Sequence, residues 1–116
     1  MRALIVEDTD SVRYALQLAL EFLGHEVVGV ASDGYQALQQ YDATRPDFVM
    51  MDVRMPGMDG LATTTRLLSD HDPHARVVIV TAGRSTEVDA EGVGACGFVE
   101  KPFALDQLGK VIHGVG

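Results

Sequence analysis

Hydrophobic and polar positions along this chain change over on the scale of whole elements. Ala3-Leu4-Ile5-Val6 is a continuous apolar run bounded by acids, and Val27 to Val30 is a weaker one interrupted by Gly29. Phe48-Val49-Met50-Met51, Val77-Val78-Ile79-Val80 and Gly97-Phe98-Val99 complete the set. Runs of this length without polar alternation predict strands covered on both faces, as in parallel sheets. Between the runs, apolar residues fall three or four apart. Residues 11–23 place Val12, Leu16, Ala19, Leu20 and Leu23 on one helical face, with Asp10 or Ser11 as the predicted cap and Gly24 as the stop. Residues 33–41 repeat the spacing with Ala37, Leu38 and Tyr41. Residues 61–68 do so despite Thr63-Thr64-Thr65, three β-branched residues that lower helix propensity. Residues 85–91 predict the weakest helix, and residues 105–112 the last, through Leu105, Leu108, Val111 and Ile112.

The order is β-α repeated five times. It predicts right-handed βαβ units and a parallel sheet with helices on both faces. Such a sheet presents ligands beyond the carboxyl ends of its strands. The residues found there are Glu7-Asp8 after the first run, Asp52 after the third, Thr81 after the fourth and Glu100-Lys101-Pro102 after the fifth. Carboxylates crowded onto one edge repel unless a cation joins them. A hard divalent ion such as Mg²⁺ takes one or two carboxylates, keeps waters and suits phosphate oxygens. Lys101 could then neutralise one phosphoryl oxygen and Thr81 donate to another. A central carboxylate could act as nucleophile and become an acyl phosphate, and Asp52 is the candidate by its place among these strands.

Composition narrows the classes. The chain has 116 residues, predicted to form one domain over 1–116 that needs neither disulfide nor metal to fold. Nine Lys+Arg against 17 Asp+Glu give 9 − 17 = −8, which argues against direct nucleic-acid binding and against an anionic membrane. Cys96 has no cysteine to pair with, no apolar run approaches the ~20 residues of a membrane span, and no secretion signal is visible, so a cytoplasmic protein is expected.

Four segments carry a resemblance: Leu4-Ile5-Val6-Glu7-Asp8; Asp47 to Gly60 with Asp52 at its centre and Met55-Pro56-Gly57-Met58-Asp59-Gly60 at its end; Val77 to Ala82; and Gly94 to Phe103. In this order they resemble the receiver domain of response regulators, the phosphoacceptor module of two-component signalling, of the chemotaxis-regulator kind, over nearly the whole chain. The resemblance implies a doubly wound α/β fold with a five-stranded parallel sheet of order 2-1-3-4-5 in a flavodoxin-like three-layer sandwich. It implies that Asp52 is phosphorylated. Glu7, Asp8, Asp52 and the Arg54 backbone carbonyl would hold Mg²⁺, or Mn²⁺ in its place, Asp8 directly and Glu7 through water. Thr81, the Ala82 amide and Lys101 would contact the phosphoryl group, with the Lys101–Pro102 bond cis. Thr81 and Phe98 would form a switch that remodels the face built by the fourth helix, fifth strand and fifth helix.

The implied partners are a sensor histidine kinase or phosphotransfer protein, and an output partner or an effector domain outside this chain, with homodimerisation open. The implied chemistry is self-catalysed aspartyl phosphorylation and dephosphorylation, without turnover of an external substrate. Two positions that the family varies, Arg54 and Gly83, flank the route of an attacking water and leave the lifetime of the acyl phosphate open. Gly92, Gly94 and Gly97 suggest a locally soft switch face.

Plainer readings stand beside these. Pro56-Gly57 is turn chemistry, with positive φ expected at the glycine. His71 and His74 read as loop residues and Cys96 as a small inert side chain. A flavodoxin-like electron carrier would need a Ser/Thr/Gly phosphate loop where Glu7-Asp8-Thr9-Asp10 stands. A haloacid-dehalogenase-type phosphatase would carry a second Asp where Arg54 stands. The remaining alternative is a receiver-like interaction module that works without phosphorylation.

Overall fold

Strands and helices alternate throughout the computed structural model, which describes residues 1–82 and 86–115. They are β1 (Arg2–Val6), α1 (Asp10–Phe22), β2 (Glu26–Ala31), α2 (Gly34–Thr44), β3 (Phe48–Asp52), α3 (Gly60–Arg66), β4 (Val77–Thr81), α4 (Thr86–Gly92), β5 (Gly97–Glu100) and α5 (Leu105–Val115). A π-helical turn over Leu67–His71 continues α3. Every strand pair is parallel, in the order β2-β1-β3-β4-β5. The predicted sheet and its order are both present. Gly83 and the predicted start of the fourth helix at Ser85 lie outside the described residues.

The period of two along each strand divides the apolar residues between two cores. Leu4, Val6, Val49, Met51, Val77 and Ile79 pack on one face with Leu38 and Tyr41 of α2, Leu67 of the π turn and Ala90 of α4. Ala3, Ile5, Phe48, Met50, Val78 and Val80 pack on the other with Leu16 and Leu20 of α1 and Leu108 and Ile112 of α5. Each fully buried Leu or Ile contributes about 2 kcal/mol of transfer free energy, which is why the apolar runs settle in the central strands. β2 departs from the expectation of two covered faces. It is an edge strand, mostly half-buried, and Val30 is exposed.

The helix ends differ from expectation in ways that have local causes. Neither Asp10 nor Ser11 caps α1: Thr9 holds the N-cap position without a side-chain cap bond, and the Asp10 carboxylate, already in the helix, pairs with Arg13. Asp33 and Asp59 do cap α2 and α3, accepting the Gln36 and Ala62 amides at 2.8 and 2.7 Å. The threonine run is tolerated because Thr63, Thr64 and Thr65 each donate a hydroxyl back to the carbonyl four residues earlier, at 2.7, 2.7 and 3.1 Å. This back-bonding competes with regular helix hydrogen bonding, and the helix widens into its π turn immediately afterwards.

Softness is not what Gly97 provides. A Cβ there would lie 2.9 Å from Val111 Cγ1 and 3.3 Å from Val78 Cγ2, so glycine lets α5 close onto β5. No helix among the described residues is long and apolar enough to cross a membrane.

Candidate functional site

The strand order places β1 and β3 side by side while their following helices leave to opposite faces, α1 to one core and α3 to the other. A crevice opens where they part. Into it project Glu7, just past β1, Asp52, the last residue of β3, and Thr81, the last of β4; all three are buried. Lys101 follows β5 and reaches in from the side. Its backbone N–H donates to the Thr81 carbonyl at 2.7 Å, and the Lys101–Pro102 bond is cis.

The Lys101 ammonium donates to Glu7 Oε2 at 2.9 Å and to Asp52 Oδ1 at 3.1 Å, bringing together residues 94 and 49 positions apart. The Thr9 amide donates to Glu7 Oε1 at 3.3 Å. Asp8 is exposed, and its carboxylate has no hydrogen bond or ion pair among the described residues. One carboxylate oxygen from each of Glu7, Asp8 and Asp52 lies within 4.8 Å of the others. Among the described residues this is the only such cluster of metal-capable groups.

Burial pushes the Glu7 carboxyl above its ordinary range; the Lys101 hydrogen bond works against that rise and the Asp52 charge adds to it. Burial also works to lower the Lys101 ammonium, but the Glu7 hydrogen bond and the Asp52 charge outweigh it, and Lys101 is held above its ordinary value. With all three acids ionised, the cluster carries −3 + 1 = −2. Each like-charged pair at this separation costs on the order of 3 kcal/mol at an effective dielectric of about 20. One divalent cation would cancel that excess. The donor set fits a hard ion such as Mg²⁺: three carboxylate oxygens, no nitrogen or sulfur, and one arm open to water.

The β3–α3 loop is held tightly against the nucleophile candidate. The Gly60 N–H donates to the Val53 carbonyl at 2.8 Å, and a Cβ on Gly60 would lie 1.9 Å from the Asp52 carbonyl oxygen. Gly57 has φ +80°, as the Pro56-Gly57 turn requires. Met55 and Met58 are buried beneath this loop, while Arg54 is exposed.

The remaining predicted residues sit farther out. Ala82 is exposed and, with Ser11, Val12, Ala15, Lys101, Pro102 and Phe103, lines a cleft of about 560 Å³ beside the cluster. Phe98 is half-buried against the α2–α4 core, opposite Ile79, two residues before the Thr81–Glu100 pairing. His71 belongs to no metal-capable cluster among the described residues; its Nδ1 lies 2.9 Å from Asp42 Oδ2. Cys96 is an exposed residue whose thiol, pushed up by partial desolvation, donates to the Val77 carbonyl at 3.4 Å. Sequence reasoning missed Arg13, whose guanidinium holds the loop bearing Asp8. The available signal was a cation in the first turn of a helix, where the macrodipole disfavours it.

The sequence model described as the response regulator receiver domain matches residues 3–113. The chain is 38% identical over 114 residues to regulatory protein AtoC of Escherichia coli (strain K12), covering 97% of this chain and 24% of that protein. It is 37% identical over 114 residues to chemotaxis protein CheY of Bacillus subtilis (strain 168), covering 97% and 94%. It therefore spans about a quarter of the first relative and nearly all of the second. The crystal structure of a putative response regulator from Chloroflexus aurantiacus J-10-fl matches with a TM-score of 0.92 at 30% identity, covering 98% of this chain and 95% of that one.

Proposed function

The chain belongs to the response regulator receiver family, and we propose that it works there as a phosphoacceptor whose nucleophile is Asp52. The observation that carries this reading is the single ammonium of Lys101 set between Glu7 and Asp52, with Asp8 completing a carboxylate cluster of net charge −2. Such a cluster is built to receive a cation and an anionic group together.

In the proposed reaction an Asp52 carboxylate oxygen attacks the phosphorus of a phosphohistidine on a sensor kinase or phosphotransfer protein, or of a small acyl phosphate. The O–P bond forms as the donor's P–N or P–O bond breaks, and the donor atom keeps the electron pair. Lys101, freed from one of its carboxylate partners, neutralises a phosphoryl oxygen, and the Thr81 hydroxyl and the Ala82 amide donate to others. Catalysis of this kind is positioning and charge stabilisation. Glu7, Asp8 and Asp52, with the Arg54 carbonyl, would hold Mg²⁺, which when bound supplies charge neutralisation for the acids and the phosphoryl oxygens. Attack of water on phosphorus later returns the free aspartate, so the chain is an acceptor and turns over no external substrate.

The output reading is the one the family resemblance implies, and the register of β4 and β5 is compatible with it. Thr81 pairs with Glu100, and Phe98 lies two residues back along β5. A Thr81 side chain drawn toward a new phosphoryl group vacates space beside β5, Phe98 moves into it, and the α4–β5–α5 face changes for an output partner or an attached effector domain. A phosphoryl group that favours this arrangement by a few kcal/mol shifts the population substantially. The setting is the cytoplasm, where kinase and acceptor meet.

The test is intact-mass analysis after incubation with acetyl phosphate. The wild-type chain gains the mass of one phosphoryl group with Mg²⁺ and not without it, and Asp52→Asn gains none. A wild-type chain that stays unmodified under these conditions leaves only the phosphorylation-independent interaction module.

A further inference from the structure

Asp8 is the exposed arm of the cluster, and nothing among the described residues holds its carboxylate. Its direction is therefore set by its backbone, and one side chain grips that backbone. Arg13 of α1 donates Nη1–H to the Glu7 carbonyl at 2.9 Å and Nη2–H to Asp10 Oδ1. The two contacts fall on either side of Asp8. The Glu7 carbonyl belongs to the planar peptide unit whose far atom is the Asp8 Cα, so fixing that oxygen fixes the plane from which the Asp8 side chain departs. On the strand side, the Glu7 N–H is anchored to the Ala31 carbonyl at 2.9 Å.

The pairing with Asp10 is an i,i+3 helix ion pair, whereas the second arm, on the Glu7 carbonyl, reaches beyond the helix and is not explained by it. A cation this near the helix start faces the positive end of the macrodipole, and the first-turn carboxylate of Asp10, its i,i+3 partner, offsets that cost. Only 23% of the Arg13 side chain is exposed, with both arms of its fork occupied. A guanidinium can span two acceptors in a rigid plane, which a lysine ammonium cannot reproduce.

We propose that Arg13 is a positioning residue for the carboxylate cluster: by clamping residues 7–10 it holds Asp8 beside Glu7 and Asp52 and so sets the affinity for Mg²⁺. This rests on the cation of the proposed function. The sign of the effect separates positioning from bare charge. As a positive charge alone, Arg13 would repel a bound cation, and removing it would tighten Mg²⁺ binding. As a clamp, its removal weakens binding.

The test is isothermal titration of Mg²⁺ into the wild-type chain, Arg13→Gln and Arg13→Lys, with Asp8→Asn as the reference for a lost ligand. Arg13→Gln weakens binding about tenfold, the usual scale for a partner behind a ligand. Arg13→Lys, which keeps the charge and loses the fork, weakens it by less. At saturating Mg²⁺ both variants recover the wild-type rate of phosphoryl uptake from acetyl phosphate, because the clamp acts on occupancy. Circular dichroism without Mg²⁺ confirms that each variant folds, and Arg13→Lys decides if Arg13→Gln does not. Unchanged or tighter binding in the variants, wild-type binding in Arg13→Lys, or a rate deficit persisting at saturating Mg²⁺ overturns the proposal. A wild-type chain that binds no Mg²⁺ overturns the cation reading as well, whereas normal wild-type binding with unaffected variants overturns the clamp alone.

Discussion

At the amino ends of the strands, polar side chains are matched with partners. Arg2 donates to the carbonyls of Thr44 and Arg45 at 2.8 Å each, the Tyr41 hydroxyl donates to Asp72 at 2.7 Å, and Arg45 stands 3.5 Å from Asp72 and 5.5 Å over the Tyr41 ring. His71 meets Asp42 at 2.9 Å. At the carboxyl ends, Glu7 and Asp52 share one ammonium, and Asp8 beside them has no side-chain partner among the described residues. Both ends use the same residue types, and the difference lies in the balance. The first set ties α2 and the π turn to the sheet and leaves little charge unanswered. The second retains repulsion that the surrounding fold must withstand until a cation arrives. Regions of unanswered charge held by a well-packed scaffold mark function, whereas matched charges mark assembly.

The contrast can be broken at the carboxyl end by moving the backbone. Gly60→Ala drives a Cβ into the Asp52 carbonyl; it lowers stability by about 3 kcal/mol, read by urea denaturation, and slows phosphoryl uptake beyond what the lost stability explains. An unchanged unfolding midpoint would show that the β3–α3 loop is looser than the close approach implies.

A smaller effect comes from removing the shared cation. Lys101→Met leaves Glu7 and Asp52 facing each other uncompensated and costs about 2 kcal/mol without metal, discounted because the lysine is partly exposed. Added Mg²⁺ recovers part of that loss, visible as a larger metal-induced rise in melting temperature than in the wild type. A metal response equal to that of the wild type would mean the three acids do not act as one cluster.

The smallest effect sits at the amino ends. Tyr41→Phe removes one hydrogen bond and costs about 1 kcal/mol, while phosphoryl uptake stays at the wild-type rate. Burial, and then the bond to Asp72, push the Tyr41 hydroxyl from 10.0 up to about 12. The folded pKa is thus raised above the unfolded one. The stability linked to the protonated phenol is present below pH 10.0 and is lost as pH rises through about 12. Tyr41→Phe should remove that alkaline loss, so the wild-type and variant stability curves converge as pH climbs through this window. Parallel curves would show that Tyr41 does not titrate differently on folding.

Much of this was legible beforehand because strand periodicity and chain order are local. Four unalternated apolar runs reappear as β1, β3, β4 and β5, nearly to the residue, and the strand-end rule alone gathers Glu7, Asp8, Asp52, Thr81 and Lys101 on one edge. The strand order, the cis Lys101–Pro102 bond and the switch role of Phe98 came with the family resemblance, whereas the roles of Asp52, Lys101 and Thr81 were already suggested by their strand-end placement. What went astray was decided by competition among neighbours. Asp10 is a fair capping residue in isolation, yet Arg13 holds its carboxylate. Gly97 reads as soft in the chain and is in fact demanded by Val111 pressing onto β5. The threonine run reads as a weak helix, and back-bonded hydroxyls with a π turn accommodate it.

The sequence by itself determined the number and kind of elements, the two-sided burial of the central strands and the identity of the acids, because each of these follows from spacing within a few residues. Only the tertiary structure decided that Lys101 divides its protons between Glu7 and Asp52, that Asp8 is left without a side-chain partner among the described residues, and that Arg13 grips the loop over residues 7–10. Those outcomes depend on distances between atoms far apart in the chain, and such distances are fixed only when the two cores close on the sheet.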